Sequence, residues 1–88
     1  MNFQKEFRKI FSGEPMSKTE QDVLLDEMRS MADDVKLKLD KDVIEAWALK
    51  ITGIIGFLFS CGKISLEQDE DLSMLLNAIE RGKAEEDE

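Results

Sequence analysis

Four stretches of the chain repeat their apolar positions at helical spacing, and one of them is apolar on nearly every side. That stretch is residues 43–61, VIEAWALKITGIIGFLFSC, in which only Glu45 and Lys50 carry charge. A helix that is hydrophobic all round belongs inside a structure or a membrane, so the pattern predicts a buried central helix with the other helices packed around it. Asp42 followed by Glu45 predicts a capping box with Asp in place of Ser or Thr, and Gly62 is placed for the left-handed position that ends a helix. The longest uncharged run, Ile51 to Gly62, is 12 residues, whereas a membrane span needs about 20. Lys50 would lie inside any longer window, so the expectation is a soluble helix and no membrane partner. At about 100° per residue, Ile44, Trp47, Ile51, Ile54, Ile55 and Leu58 share one broad side. Ala48, Thr52, Gly56 and Ser60 recur every fourth residue on another, with Gly53 close by. Small residues let helices approach closely, and packing within the chain is the expected use of this ridge. A groove for self-association is the second reading. Burial also predicts a shielded Trp47 and a slow structural thiol at Cys61.

The other three stretches are amphipathic. In residues 2–11, Phe3, Phe7, Ile10 and Phe11 fall on one narrow face, with Lys5, Arg8 and Lys9 elsewhere. This is a short helix whose aromatic face either packs on the core, the expected outcome, or serves as an arm that docks into a partner. Ser12-Gly13-Glu14-Pro15 breaks it, because a residue before proline is driven out of helical geometry. Ser17 with Glu20 then reads as a capping box. Leu24, Leu25, Met28, Met31, Ala32, Val35 and Leu39 follow within an arc of about 120°, the width of a core-facing stripe. After the central helix, Ser65 with Gln68 forms another capping box. Leu72, Leu75, Leu76 and Ile79 make the stripe of the last helix, which Arg81 and Gly82 close.

Together these elements predict an all-α small helical bundle: a short N-terminal helix plus three longer helices around the buried central helix 43–61. Residues 1–82 form one domain and 83–88 a flexible acidic tail. With 88 residues, the chain is near the lower size at which a core supports itself.

Charge changes the picture more than composition does. The net charge is −8. Residues 1–63 hold 10 basic and 11 acidic side chains and residues 64–88 hold 2 and 9, so −1 and −7 sum to that total. The acidic C-terminal quarter argues against direct nucleic-acid binding, which needs a basic footprint. It is compatible with a protein partner that has a basic surface. Glu67, Asp69, Glu70 and Asp71 open the last helix, where the helix dipole favours negative charge. They are also candidates for charge mimicry toward such a partner.

The inventory for catalysis is thin. The chain has no His and no Tyr, and one Cys, so a Cys/His zinc site is excluded. Carboxylates and lysines are the only bases left to activate a nucleophile. A carboxylate-only enzyme is the third reading, against which the small size of the bundle argues. Asp33-Asp34 and Asp40-Asp42 lack the glycine and closing glutamate of a calcium loop and read as solvated charges and a cap. No enzyme, no cofactor and no metal are expected. A lone cysteine and the charged, aromatic start of the chain point to a reducing, cytoplasmic setting. The expected function is a small acidic protein-interaction module, an adaptor or inhibitor docking on a larger protein. The candidate partner-binding residues are Phe3, Phe7, Ile10, Phe11, Glu67, Asp69, Glu70 and Asp71. The alternative is a structural homodimer that completes its core across the small-residue ridge of the central helix.

Overall fold

The computed structural model describes residues 2–12 and 16–82. Gly13 to Pro15, where the break was expected, and the acidic tail 83–88 lie outside the described residues. The protein is a small all-α bundle, with four helices among the described residues: α1 (Phe3–Ile10), α2 (Lys18–Lys36), α3 (Lys41–Ser60) and α4 (Leu66–Glu80).

Local chemistry sets most of the helix ends. Asn2 caps α1, its side chain accepting from the Lys5 amide at 3.2 Å. At α2 the Ser17–Glu20 box closes in both directions: the Ser17 amide donates to Glu20 Oε1 at 2.9 Å and the Glu20 amide to Ser17 Oγ at 3.1 Å. The Ser65–Gln68 box of α4 closes likewise, at 2.8 and 3.1 Å. Gly62 takes φ +75° after α3. The Lys63 amide then reaches back to the Leu58 carbonyl at 2.9 Å and the Gly62 amide to Phe59 at 3.1 Å, which is the doubly bonded Schellman end.

Two ends depart from expectation. α2 stops at Lys36, and Leu39 lies beyond it, 43% exposed rather than in the core stripe. The chain leaves α2 through a second Schellman end, with Lys38 at φ +57° and the Leu39 amide bonded to the Asp34 carbonyl at 3.2 Å. That tight turn brings Asp40 into extended geometry, so Asp40, not Asp42, caps α3. The Asp42–Glu45 box does not form, and Asp42 falls in the first turn of the helix.

The core is drawn from all four helices and the segments between them. Phe3 and Phe7 of α1, Leu24, Leu25, Met28 and Met31 of α2, Ile51 and Ile55 of α3, and Leu72, Leu75, Leu76 and Ile79 of α4 are buried together with Phe11, Met16 and Ile64. Phe7 and Phe11 stack tilted, with ring centroids 4.9 Å apart. Each fully buried Leu, Ile, Phe or Met removes enough apolar surface to be worth about 1.5–3 kcal/mol.

Polar side chains fix how the helices lie on one another. α2 and α3 run antiparallel, tied by Trp47 Nε1 donating to Asp34 Oδ2 at 2.6 Å and by Lys50 with Glu27 at 2.7 Å. Lys63 meets Glu20 at 3.1 Å near the other end of α2. Asp34 is therefore a partner of the indole and not a purely solvated charge. α1 is held through Arg8 to Asp22 at 2.6 Å and through Arg29 to Gln4 at 2.7 Å. The buried Gln68 links it to α4 as well, its Nε2 donating to the Ile10 carbonyl at 3.0 Å.

Candidate interaction surface

The expectation that α3 is buried on all sides is corrected by the structure. Only Ile51 and Ile55 are fully buried. Ile44, Trp47, Ala48, Ile54 and Leu58 are half-buried and packed against the core. The broad side read from the sequence is thus the inward side, and Trp47 is shielded only in part. The opposite side carries Ala46, Leu49, Gly53, Gly56, Phe57 and Ser60, all exposed. Leu49 is 74% and Phe57 67% exposed, and Val43 and Phe59 flank them at 40% and 42%. From Ala46 to Ser60 the outer surface of α3 carries no acidic side chain, while the exposed Asp42 and Glu45 mark its N-terminal end. Lys50 at its edge is held to Glu27 and lies 5.1 Å from the Trp47 ring centroid.

The glycines were expected to let a neighbouring helix of the same chain come close. A methyl group built on Gly53 or Gly56 would meet nothing within 4 Å, so neither serves packing within the described fold. Cys61 was expected to be shielded, but it ends α3 on the open side and is exposed. Beside the outer face runs a groove of about 420 Å³ lined by Asp42, Val43, Ala46, Trp47 and Lys50. By length and composition α3 is also apolar enough to cross a membrane, which the count of uncharged residues alone did not indicate.

The predicted partner-binding residues are placed differently. Phe3, Phe7 and Phe11 are core residues and offer no free aromatic face. Their side chains fill the space between α1 and the rest of the bundle, the outcome expected of an ordinary amphipathic helix. Ile10 is half-buried, and its carbonyl accepts from Gln68. Glu67, Glu70 and Asp71 are exposed at the start of α4, and Asp69 is partly shielded, accepting from the Ser73 hydroxyl at 3.4 Å. Of the eight, Ile10 and Asp71 come together, lining a groove of about 360 Å³ with Glu6, Lys9, Met74 and Leu75. Leu49 and Phe57 were missed. Their signal was present: an uncharged arc lies opposite the core stripe of α3, so one of the two apolar sides had to face outward.

Among the described residues no cluster of three or more Cys, Asp or Glu side chains could hold a metal ion. Glu20 is the one group whose acidity is clearly perturbed among those residues. Its carboxyl is held below the ordinary value, first by the Ser17 amide and then by Lys63. That is a helix cap, distant in kind from an acid–base centre.

Among the described residues, fold and surface therefore define a four-helix bundle with an apolar face of α3 that none of those residues covers. No protein-family model matches the chain, and neither a curated protein nor a solved structure matches it significantly.

Proposed function

We propose that this protein is a non-enzymatic, cytoplasmic interaction module, and that it docks on protein through the outer face of α3. One observation carries the reading. A helix with Leu49 and Phe57 about two-thirds or more exposed presents an apolar stripe of the kind that marks a binding surface on soluble proteins. Single exposed apolar residues are ordinary, but here Leu49 and Phe57 share one side of a helix, with Gly53 and Gly56 between them and a groove alongside. Protein suits this face better than lipid. Lys50 lies mid-helix in an ion pair with Glu27, and the inward side of α3 is already committed to a bundle that carries charged residues.

The test is site-specific photocrosslinking in cells that produce the protein. A benzophenone amino acid replaces Leu49 or Phe57 and, as controls, the exposed Val23 of α2 or Glu70 of α4. Protein adducts at positions 49 and 57, absent at 23 and 70, support the reading. Equal adducts at all four positions, none at 49 and 57, or adducts to lipid alone overturn it.

A further inference from the structure

We infer that the occupant of the α3 outer face is a second copy of this chain, packed antiparallel about a two-fold axis at Gly53. This rests on the reading that the face is a docking surface, and it names the partner.

The shape of the face is self-complementary. In an antiparallel two-fold pair, residues equally distant from the axis on the same flank meet. Leu49 stands four positions before Gly53 and Gly56 three positions after it, on one flank. Phe57 stands four positions after, and Ala46 and Lys50 lie seven and three before, on the other. Each exposed knob thereby finds a hole. Leu49 sits over Gly56 of the partner subunit, and Phe57 enters the groove between Ala46 and Lys50 of the partner subunit. Gly53 of each chain lies at the crossing, where the absence of a side chain lets the backbones approach. This gives the two glycines the packing role that the single chain does not supply.

Charge selects the same orientation. The N-terminal end of α3 carries Asp40, Lys41, Asp42 and Glu45, a net acidic set, whereas its last turn has no charged side chain and is followed by Lys63, which pairs with Glu20. Antiparallel packing keeps the two acidic ends apart and opposes the helix dipoles. Parallel packing stacks the two acidic N-terminal ends. No acidic side chain lies between Ala46 and Ser60, so two strongly acidic molecules can meet here without facing carboxylates.

The area is adequate for a modest dimer. Val43, Leu49, Phe57 and Phe59, exposed by 40–74%, leave on the order of 400 Å² of apolar surface, given that a large side chain presents about 150–250 Å². With Ala46, the glycines and Ser60 included, a pair buries roughly 1,000 Å² in total, the lower bound for a specific interface. An interface at that bound is expected to be reversible on dilution rather than an obligate assembly.

Sedimentation equilibrium on the purified protein tests this directly. The chain should reach 20.2 kDa, twice its 10.1 kDa, at high micromolar concentration and return to monomer on dilution. Leu49→Glu and Gly56→Gln should each weaken association at least tenfold while helicity and melting of the diluted monomer are kept. Gly56→Gln is the sharper variant, since a side chain there has open space in the monomer. In a Cys61→Ser background, Gly53→Cys should form an intersubunit disulfide under mild oxidation. Wild type should not form one through Cys61, which lies far from its own copy in an antiparallel pair. A monomer at every concentration, a dimer indifferent to Gly56→Gln, or ready Cys61 bridging would overturn the inference. So would flotation with phosphatidylcholine–phosphatidylglycerol vesicles that Leu49→Glu abolishes. A monomer that still crosslinks another protein at Leu49 removes self-association and leaves the docking surface standing. Absent crosslinks at Leu49 and Phe57 remove both.

Discussion

Gln68 holds two parts of the molecule together that lie 58 residues apart in sequence. Its Oε1 accepts from the Ser65 amide at 2.8 Å, closing the α4 cap, while its Nε2 donates to the Ile10 carbonyl at 3.0 Å. The side chain is nearly fully buried, so water cannot replace it easily. Gln68→Ala removes both bonds, at about 1 kcal/mol each, and leaves a shielded carbonyl without its donor, for a total near 2–3 kcal/mol. In a domain of this size that lowers the melting midpoint by roughly 10–20 °C. Gln68→Glu separates the two roles. A carboxylate still accepts from Ser65 and suits the start of a helix, but it cannot donate to Ile10 and faces its oxygen. The expected cost is about 1–3 kcal/mol at neutral pH. Burial and the facing carbonyl both disfavour the ionised form, so the introduced carboxyl has a raised folded pKa. Its penalty is therefore absent in acid, grows as pH rises through the ordinary carboxylate range, and is complete above the raised value. Thermal and urea unfolding followed by circular dichroism, at protein concentrations low enough to keep the chain monomeric, measure both effects. Stability of Gln68→Ala within about 0.5 kcal/mol of wild type would refute the reasoning, as would a Gln68→Glu penalty that does not change with pH.

Other changes probe the caps, the thiol and the acidic helix start. Lys38 holds φ +57° without being glycine, so Lys38→Gly should raise stability by about 0.5–1 kcal/mol in urea unfolding, and a loss would show the strain to be negligible. Glu20 has a folded pKa depressed below 4.5 by the Ser17 amide and then Lys63. Its contribution is present above that ordinary value and lost as pH falls through the depressed one. Glu20→Gln keeps an acceptor for the cap, so its melting gap from wild type should be open at neutral pH and close in acid. Cys61 is exposed and should react with a thiol reagent at neutral pH without unfolding. Labelling that waits for denaturant would place it inside. Neutralising Glu67, Asp69, Glu70 and Asp71 to Gln and Asn should cost a few tenths to about 1 kcal/mol each, less at high salt, if they serve the helix dipole. A basic partner whose association slows in the variant would assign them a second use.

What was legible in the sequence is what short-range chemistry decides. The Ser17–Glu20 and Ser65–Gln68 boxes, the turn at Gly62, and the stripes Leu24–Met31 and Leu72–Ile79 depend on neighbours three or four residues away, and all formed. α3 defeated the same reasoning because both of its sides are apolar: periodicity located the side that packs but could not say whether a second layer covers the other. The error at Cys61 came from that same ambiguity. Asp42 was misread as the cap because the tight exit from α2 at Lys38 and Leu39, which starts α3 at Lys41, leaves no signature in composition. The bond from Gln68 to Ile10 and the one from Trp47 to Asp34 join separate helices, and their partners are fixed only once the helices have packed. The candidate surface suffered most. The aromatic residues that draw the eye, Phe3, Phe7 and Phe11, are those the core consumes.

α1 is eight residues long, about two turns, too short to hold helical form alone. α2, α3 and α4 follow one another through connections at 37–40 and 61–65, so their mutual contacts close short loops and form early. The side-chain bonds described for α1 reach helices already in place: Arg8 to Asp22, Gln4 to Arg29, and the Ile10 carbonyl to Gln68. It therefore condenses last and is the first piece to lift away, as one cooperative unit in which Phe3 and Phe7 leave the interior together. Its amides exchange with solvent through this partial opening, at a free energy below that of global unfolding, while those at the centres of α2 and α4 wait for the whole bundle to melt.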